Sequence, residues 1–159
     1  MMNNAFSTPI TQYLDAQQVP YRLLPHATHA TTIEAAARQR GIEPAQMVKC
    51  ILLRDMGDQL ALACAPGDRS VDPKKVRALL HWRRMTCVDL SQVEPITGYA
   101  IGTVTPLLLK TPMPIIFDHA ILQHTLVTIS SGSTLAGIAL DVNDLVHLCR
   151  PQFAHIQRE

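Results

Sequence analysis

Aromatic side chains are scarce in this sequence: three Phe, three Tyr and one Trp make up 4% of 159 residues. That scarcity excludes a row of base-stacking platforms of the kind single-strand binders use. It also leaves the core to Leu, Ile, Val and Ala. A charge excess is missing as well. Lys and Arg number 14 against 13 Asp and Glu, a formal net charge of +1. Affinity resting chiefly on many phosphate contacts is therefore excluded, and any nucleic-acid contact is confined to one face. No apolar run approaches the ~20 residues that span a bilayer, and no signal peptide is visible. The cysteines, Cys50, Cys64, Cys87 and Cys149, form no C-x-x-C pair, so reduced thiols and a cytoplasmic location are expected. Neither G-x-G-x-x-G nor a P-loop occurs, which argues against a nucleotide cofactor.

What is present is the composition of one globular domain. Hydrophobic residues make up 47% and charged residues 17%, enough for a core without disulfide or metal staples. No repeat or Gly/Ser linker divides the chain. One domain over 8–157 is expected, behind a short frayed leader, 1–7.

Local signals place the elements. Thr8-Pro9 is a helix cap followed by proline at the first helical position, with Ile10, Tyr13 and Leu14 on one face. Pro20 ends that helix, and Tyr21 to Leu24 form a short strand. Thr31-Thr32-Ile33-Glu34 fits a capping box, with Gly41 as the stop. Met47 to Arg54 and Gln59 to Ala65 are expected to pair through the turn Met56-Gly57-Asp58. Asp72-Pro73 opens a helix through Leu80, and Arg84 to Val88 is a further strand. Asp89 to Glu94 is a helical turn, and Pro114 to Phe117, Thr125 to Ile129 and Ala136 to Leu140 are strands. Asp141 opens the final helix. Hairpins among irregularly alternating strands and helices predict an α/β domain with a mixed sheet, not a doubly wound parallel one.

Two segments stand out chemically. Lys49 lies on a strand whose faces are otherwise apolar, Val48, Cys50 and Leu52 on one and Ile51 and Leu53 on the other. A lysine there either reaches out at the strand's end or sits partly desolvated, where it grips an anionic or carbonyl oxygen. The segment alone leaves both open. Gly98 to Pro106 holds Gly102, which permits backbone angles closed to other residues, and Pro106, which fixes the loop's exit. Such a loop is either a plain turn or a presenter of backbone N–H and C=O groups. Ser130-Ser131-Gly132-Ser133 is expected to be a hairpin turn.

Lys49 after Val48, followed about fifty residues later by Thr97-Gly98-Tyr99 and Gly102-Thr103-Val104-Thr105-Pro106, resembles the YbaK/ProX family. That family comprises free-standing aminoacyl-tRNA deacylases related to the editing insertion of bacterial prolyl-tRNA synthetases. The likeness continues at His26, at Thr32-x-Glu34-Ala35-Ala36, at Ile115-Ile116-Phe117-Asp118 and at Ser130-Ser131-Gly132. It implies a strongly curved mixed sheet flanked by helices. It also implies that Lys49 contacts the 3′-terminal adenosine or ester region, and that the loop backbone at Gly102, Thr103 and Pro106 orients the aminoacyl group and water. Substrate contacts are implied at His26, Thr32, Cys50, Ile101, Val104, Thr105, Asp118, Ser130, Ser131 and Gly132. No metal or organic cofactor is implied. The implied partners are the acceptor end of an aminoacyl-tRNA, most simply tRNA(Pro) carrying a small wrong amino acid such as Cys or Ala, and a synthetase. A non-catalytic tRNA- or synthetase-binding module of the same fold is the alternative, and a hydrolase of other acyl esters is a third. Cys50 stands where relatives often carry Thr or Asn; as a strand residue it is expected to be small and buried, facing away from Lys49.

Other chemistries find less support. His26-x-x-His29, His119 and His124 match no compact zinc spacing. Ser131, His26 or His119, and Asp118 could compose a triad, but no nucleophile elbow accompanies them. Lys74, Lys75, Arg77, Arg83 and Arg84 form the densest basic stretch, either a solvated helix face or a guide for the acceptor stem.

Overall fold

Thr8 opens the first helix as its sequence signals. In the computed structural model, which describes residues 6–159, the Thr8 hydroxyl accepts from the Thr11 amide at 3.3 Å and Pro9 starts α1, Pro9–Ala16. Residues 1–5 of the expected leader lie outside the described residues. Ile10 and Leu14, one turn apart, are fully buried, and the Thr8 hydroxyl donates to Ser131 O at 2.7 Å, fixing α1 to a strand. After β1, Arg22–Pro25, comes α2, Ile33–Arg40. Its cap is Thr32, whose hydroxyl accepts from Ala35 N. The capping box predicted from Thr31 therefore does not form: with Thr32 as cap, Glu34 falls at the second helical position, too early to reach back. Gly41, at φ +69°, closes the helix.

The predicted hairpin is β2, Val48–Asp55, and β3, Leu60–Pro66, antiparallel with Cys50 opposite Cys64. The Asp55 carboxylate takes the Gly57 and Gln59 amides and so shapes the turn. Asp72 caps α3, Pro73–Leu80, and β4, Met85–Cys87, pairs with β2. The expected turn at Asp89 to Glu94 is a longer helix, α4, Leu90–Thr97, running through Pro95. Then follow β5, Ile115–Asp118, β6, Leu126–Ser133, β7, Ala136–Asp141, and α5, Val142–Cys149. A short strand with no sequence signal, β8, Gln152–Ala154, ends the order.

The serines are not the turn itself. Strand β6 continues through Ser130–Ser133 with a register irregularity, and Gly132 takes φ +91° there. Ser131 Oγ donates to Ala136 O at 2.6 Å and Ser130 Oγ accepts from Gly132 N, so the hydroxyls take up backbone groups that the bulge releases from the ladder.

The strands form two sheets: a mixed one in the order β4-β2-β3-β5-β8 and an antiparallel one in the order β1-β7-β6. They meet at a single bridge between Met47 and Thr128. The α/β class with a mixed sheet is thus as expected, the mixed ladder being joined by a second, antiparallel one. Ile10, Leu14, Leu62, Phe117, Ile138 and Leu140 belong to the larger core cluster. Leu53, Ala61, Ala63, Val76 and Ile116 make up a second cluster, and alternation along β2 and β3 sends their side chains into both.

Candidate functional site

Where the two sheets meet, α2 bridges a cavity of ≈190 Å³. Met47, just before β2, with Val48 and Cys50 of β2, forms one wall, and Ser130 and Ser133 of β6 another. Thr31, Thr32, Ala36 and Arg40 close it along α2, and Gly102 and Val104 form its lip. A larger groove of ≈620 Å³ runs past Tyr21, Arg22 and Asp144, but it gathers none of the residues singled out from sequence.

Gly102 sits at φ +85°, and a Cβ there would lie 3.6 Å from the Thr31 backbone. Its glycine is therefore required by the backbone angle more than by space. The Thr103 amide and hydroxyl both bond Ala100 O, at 3.0 and 2.7 Å. The amides of Gly102 and Val104, by contrast, have no acceptor among the described residues. The donors free at the lip are these two, not Thr103. Thr105 is fully buried with an unpartnered hydroxyl, and buried Pro106 offers its carbonyl to Cys149 Sγ at 3.2 Å.

Lys49 shares its strand face with Ile51 and Leu53, opposite the cavity-lining Val48 and Cys50. It is part-buried and pairs with no carboxylate within 4.0 Å among the described residues. Burial lowers its pKa from 10.5, while Asp68 and Glu34 oppose the shift. Glu34, in the first turn of α2, is thus close enough to act on the lysine's charge, while Lys49 itself does not line the cavity. Cys50 is half-buried, with Sγ 3.6 Å from that of Cys64.

His26 is buried in the wall. Its Nδ1 lies 2.7 Å from Thr134 O, which can only accept, so Nδ1 carries the proton. Nε2 then accepts from Arg40 Nε at 3.1 Å. Burial lowers the His26 pKa from 6.5, the Thr134 carbonyl opposing and the Arg40 charge reinforcing it. Arg40 Nη1 donates to Thr128 Oγ1 at 3.0 Å, and burial pulls the guanidinium down to about 10.

The fold thus brings His26, Thr32, Cys50, Gly102, Val104 and Ser130 together. Ile101 faces a separate groove with Leu90 and Glu94. Ser131 and Gly132 pack toward α1 and Tyr99. Asp118 accepts from Ala120 N, Ile156 N and Gln157 Nε2, tying β5 to the C-terminal segment away from the cavity. His119 stacks on Phe153 and lies tilted against His155, far in topology from His26, and no metal-holding group of His, Cys, Asp and Glu occurs among the described residues. Arg40 went unnoticed in sequence. A signal existed at Gly137, a strand glycine, which marks a close approach.

The chain is thus an α/β domain with a partly open cavity where its two sheets meet and unpaired backbone amides at the lip of that cavity. A family model described as the aminoacyl-tRNA editing domain matches residues 27–148, and the chain belongs to that family. The chain is 24% identical over 151 residues to the Enterococcus faecalis protein EbsC, a candidate Cys-tRNA(Pro)/Cys-tRNA(Cys) deacylase, covering 94% of this chain and 92% of EbsC. It is 30% identical over 113 residues to a proline–tRNA ligase of Thermoanaerobacter sp. strain X514, 67% of this chain but 20% of the ligase. Its fold matches the crystal structure of a candidate trans-editing enzyme for prolyl tRNA synthetase, with TM-score 0.83 at 22% identity, over 97% of this chain and 100% of that one.

Proposed function

We propose that this protein is a trans-editing hydrolase that removes a small wrong amino acid, such as cysteine or alanine, from tRNA(Pro). The observation that carries this reading is the ≈190 Å³ cavity with the unpaired Gly102 and Val104 amides at its lip. Its volume suits an amino-acid side chain and excludes a whole nucleotide. The need for such a site is physical: a synthetase pocket separates side chains differing by one methylene by only ~1–3 kcal/mol.

In this mechanism the acyl group enters the cavity and the ester stops at the lip. The two amides orient the carbonyl and stabilise the oxyanion as water attacks. Lys49, outside the wall, holds the terminal adenosine and its phosphate; with no carboxylate partner among the described residues, it is available to an anion. Both ring nitrogens of His26 are engaged, so His26 shapes the cavity and moves no proton. The substrate is the acceptor end of the charged tRNA, with a prolyl-tRNA synthetase as the partner whose errors are corrected. The domain that does this spans 8–157.

Deacylation of Cys-, Ala- and Pro-tRNA(Pro) tests the reading. We expect turnover of the first two, and a fall of about 10²-fold in kcat/KM for Lys49→Ala. Undiminished activity in that variant would remove the lysine's role. Binding of tRNA without turnover would favour the non-catalytic module, and turnover of free acyl esters alone would favour the third reading.

A further inference from the structure

Arg40 is a cation in the cavity wall without a counter-charge. The ion pairs among the described residues are Arg54–Asp58 and Lys75–Glu159, and the Arg40 partners, His26 Nε2 and Thr128 Oγ1, are neutral. The guanidinium lies flat against β7. A Cβ built on Gly137 would come within 2.1 Å of Nε and 2.4 Å of Cζ, so Gly137 is glycine because the fork occupies the space. His26, Thr128 and Gly137 therefore fix the guanidinium in one orientation. Of its five N–H groups, two are engaged. Its Nη2 has no protein acceptor among the described residues and is not fully buried, and the Arg40 side chain lines the cavity. A pinned, partly desolvated cation is costly until an acceptor completes it.

Its position says which part of an occupant it meets. Thr31, at the start of α2, touches Gly102, whereas Arg40 ends the helix. With the ester at the Gly102 lip, as in the deacylase reading, the acyl side chain enters the cavity whose wall the Arg40 side chain helps to form.

We propose that Arg40 determines the specificity of this cavity, selecting small aminoacyl side chains that end in a hydrogen-bond acceptor, a hydroxyl, a carboxylate or more weakly a thiol, over aliphatic ones, so that of the two residues named above cysteine is favoured over alanine. The assignment rests on the deacylase reading above and narrows its substrate class. A site built to hydrogen-bond its substrate rejects the analogue that lacks the group, because its buried donors are then left unpaired.

The test uses adenosine carrying alanine, serine or aspartate through a non-hydrolysable 3′-amide. Each is titrated calorimetrically into the full chain, with hydrolysis of Ala-, Ser- and Asp-tRNA run alongside. The wild type should bind the seryl or aspartyl analogue at least about 10-fold more tightly than the alanyl one, and the better of the two identifies hydroxyl or carboxylate. Arg40→Met should bring that ratio close to one. Gly137→Ala, which displaces the guanidinium from behind, should do the same. Equal binding of all three by the wild type, no binding of any, or uniform weakening by Arg40→Met with the ratio kept, would overturn the proposal. Selective binding without hydrolysis of any tRNA would refute the deacylase reading and leave Arg40's role standing. Hydrolysis of all three tRNAs without preference would do the reverse.

Discussion

His26 holds its proton on Nδ1 and presents Nε2 to Arg40, and stability should report this. Its folded pKa lies below 6.5, so between those two values the unfolded chain binds the proton that the folded chain refuses. Stability is full above pH 6.5 and falls as the pH drops toward the folded pKa. Urea denaturation at pH 7.5 and 5.5 should show that loss in the wild type and a smaller one in His26→Gln. Asp118 has the opposite chemistry. Burial pushes its carboxyl up, but hydrogen bonds from Ala120, Gln157 and Ile156 outweigh this and hold it below 3.8. Its contribution is present above pH 3.8 and lost as the pH falls through the folded value. Asp118→Ala orphans two backbone amides and should cost about 2–4 kcal/mol by urea denaturation, with no change in KM. Lys49 and Gly102 drew attention in sequence because a charge on an apolar strand and a glycine before a proline are anomalies within single segments, and only the family resemblance joined them into a candidate site. Of the two, Gly102 lines the cavity and Lys49 does not. Arg40 drew no such attention. Its importance arises from His26, Thr128 and Gly137, which only the fold assembles around it.

Among the elements, the lip loop is the most exacting. Gly102 at φ +85° admits a β-branched side chain only with strain. Gly102→Val should therefore turn the free amides away and lower kcat/KM by about 10-fold or more. The thermal midpoint should fall by only a few degrees, the cost of the strained φ, because Gly102 is exposed and no core packing is lost. The β2–β3 hairpin and the Asp72 and Asp141 caps could be read from sequence, since turn and cap chemistry is local. The α2 cap was displaced by one residue because Thr31 and Thr32 are equally good caps, and tertiary packing chose between them. Strand β8 carried no signal, being three residues whose strand character comes from pairing with β5. The serine segment misled because its turn-forming residues serve a bulge, with the reversal following at Thr134 and Leu135.

At the scale of the whole molecule, a net charge of +1 limits how the protein can hold tRNA. Lys74, Arg77 and Arg84 of the basic stretch come together with Arg158, far off in sequence, around a groove of ≈470 Å³. Few phosphates can be neutralised there. The slope of log Kobs against log salt for tRNA binding should lie between about −1 and −3, and a slope near about −8 would show a much larger phosphate footprint than this surface supplies. Among the described residues no helix is long and apolar enough to cross a membrane.

Everything proposed depends on the acyl group occupying the cavity under α2. Ala36, buried on that helix, lines the cavity, so Ala36→Leu should fill part of it without touching Lys49 or the lip. The decisive measurement is release of the amino acid from Cys-tRNA(Pro) by the wild type and by Ala36→Leu, with circular dichroism confirming the fold of the variant. Acceleration by the wild type, with Pro-tRNA(Pro) spared and the folded variant inactive, is the predicted result. Full activity in Ala36→Leu, or no acceleration by the wild type, would contradict it.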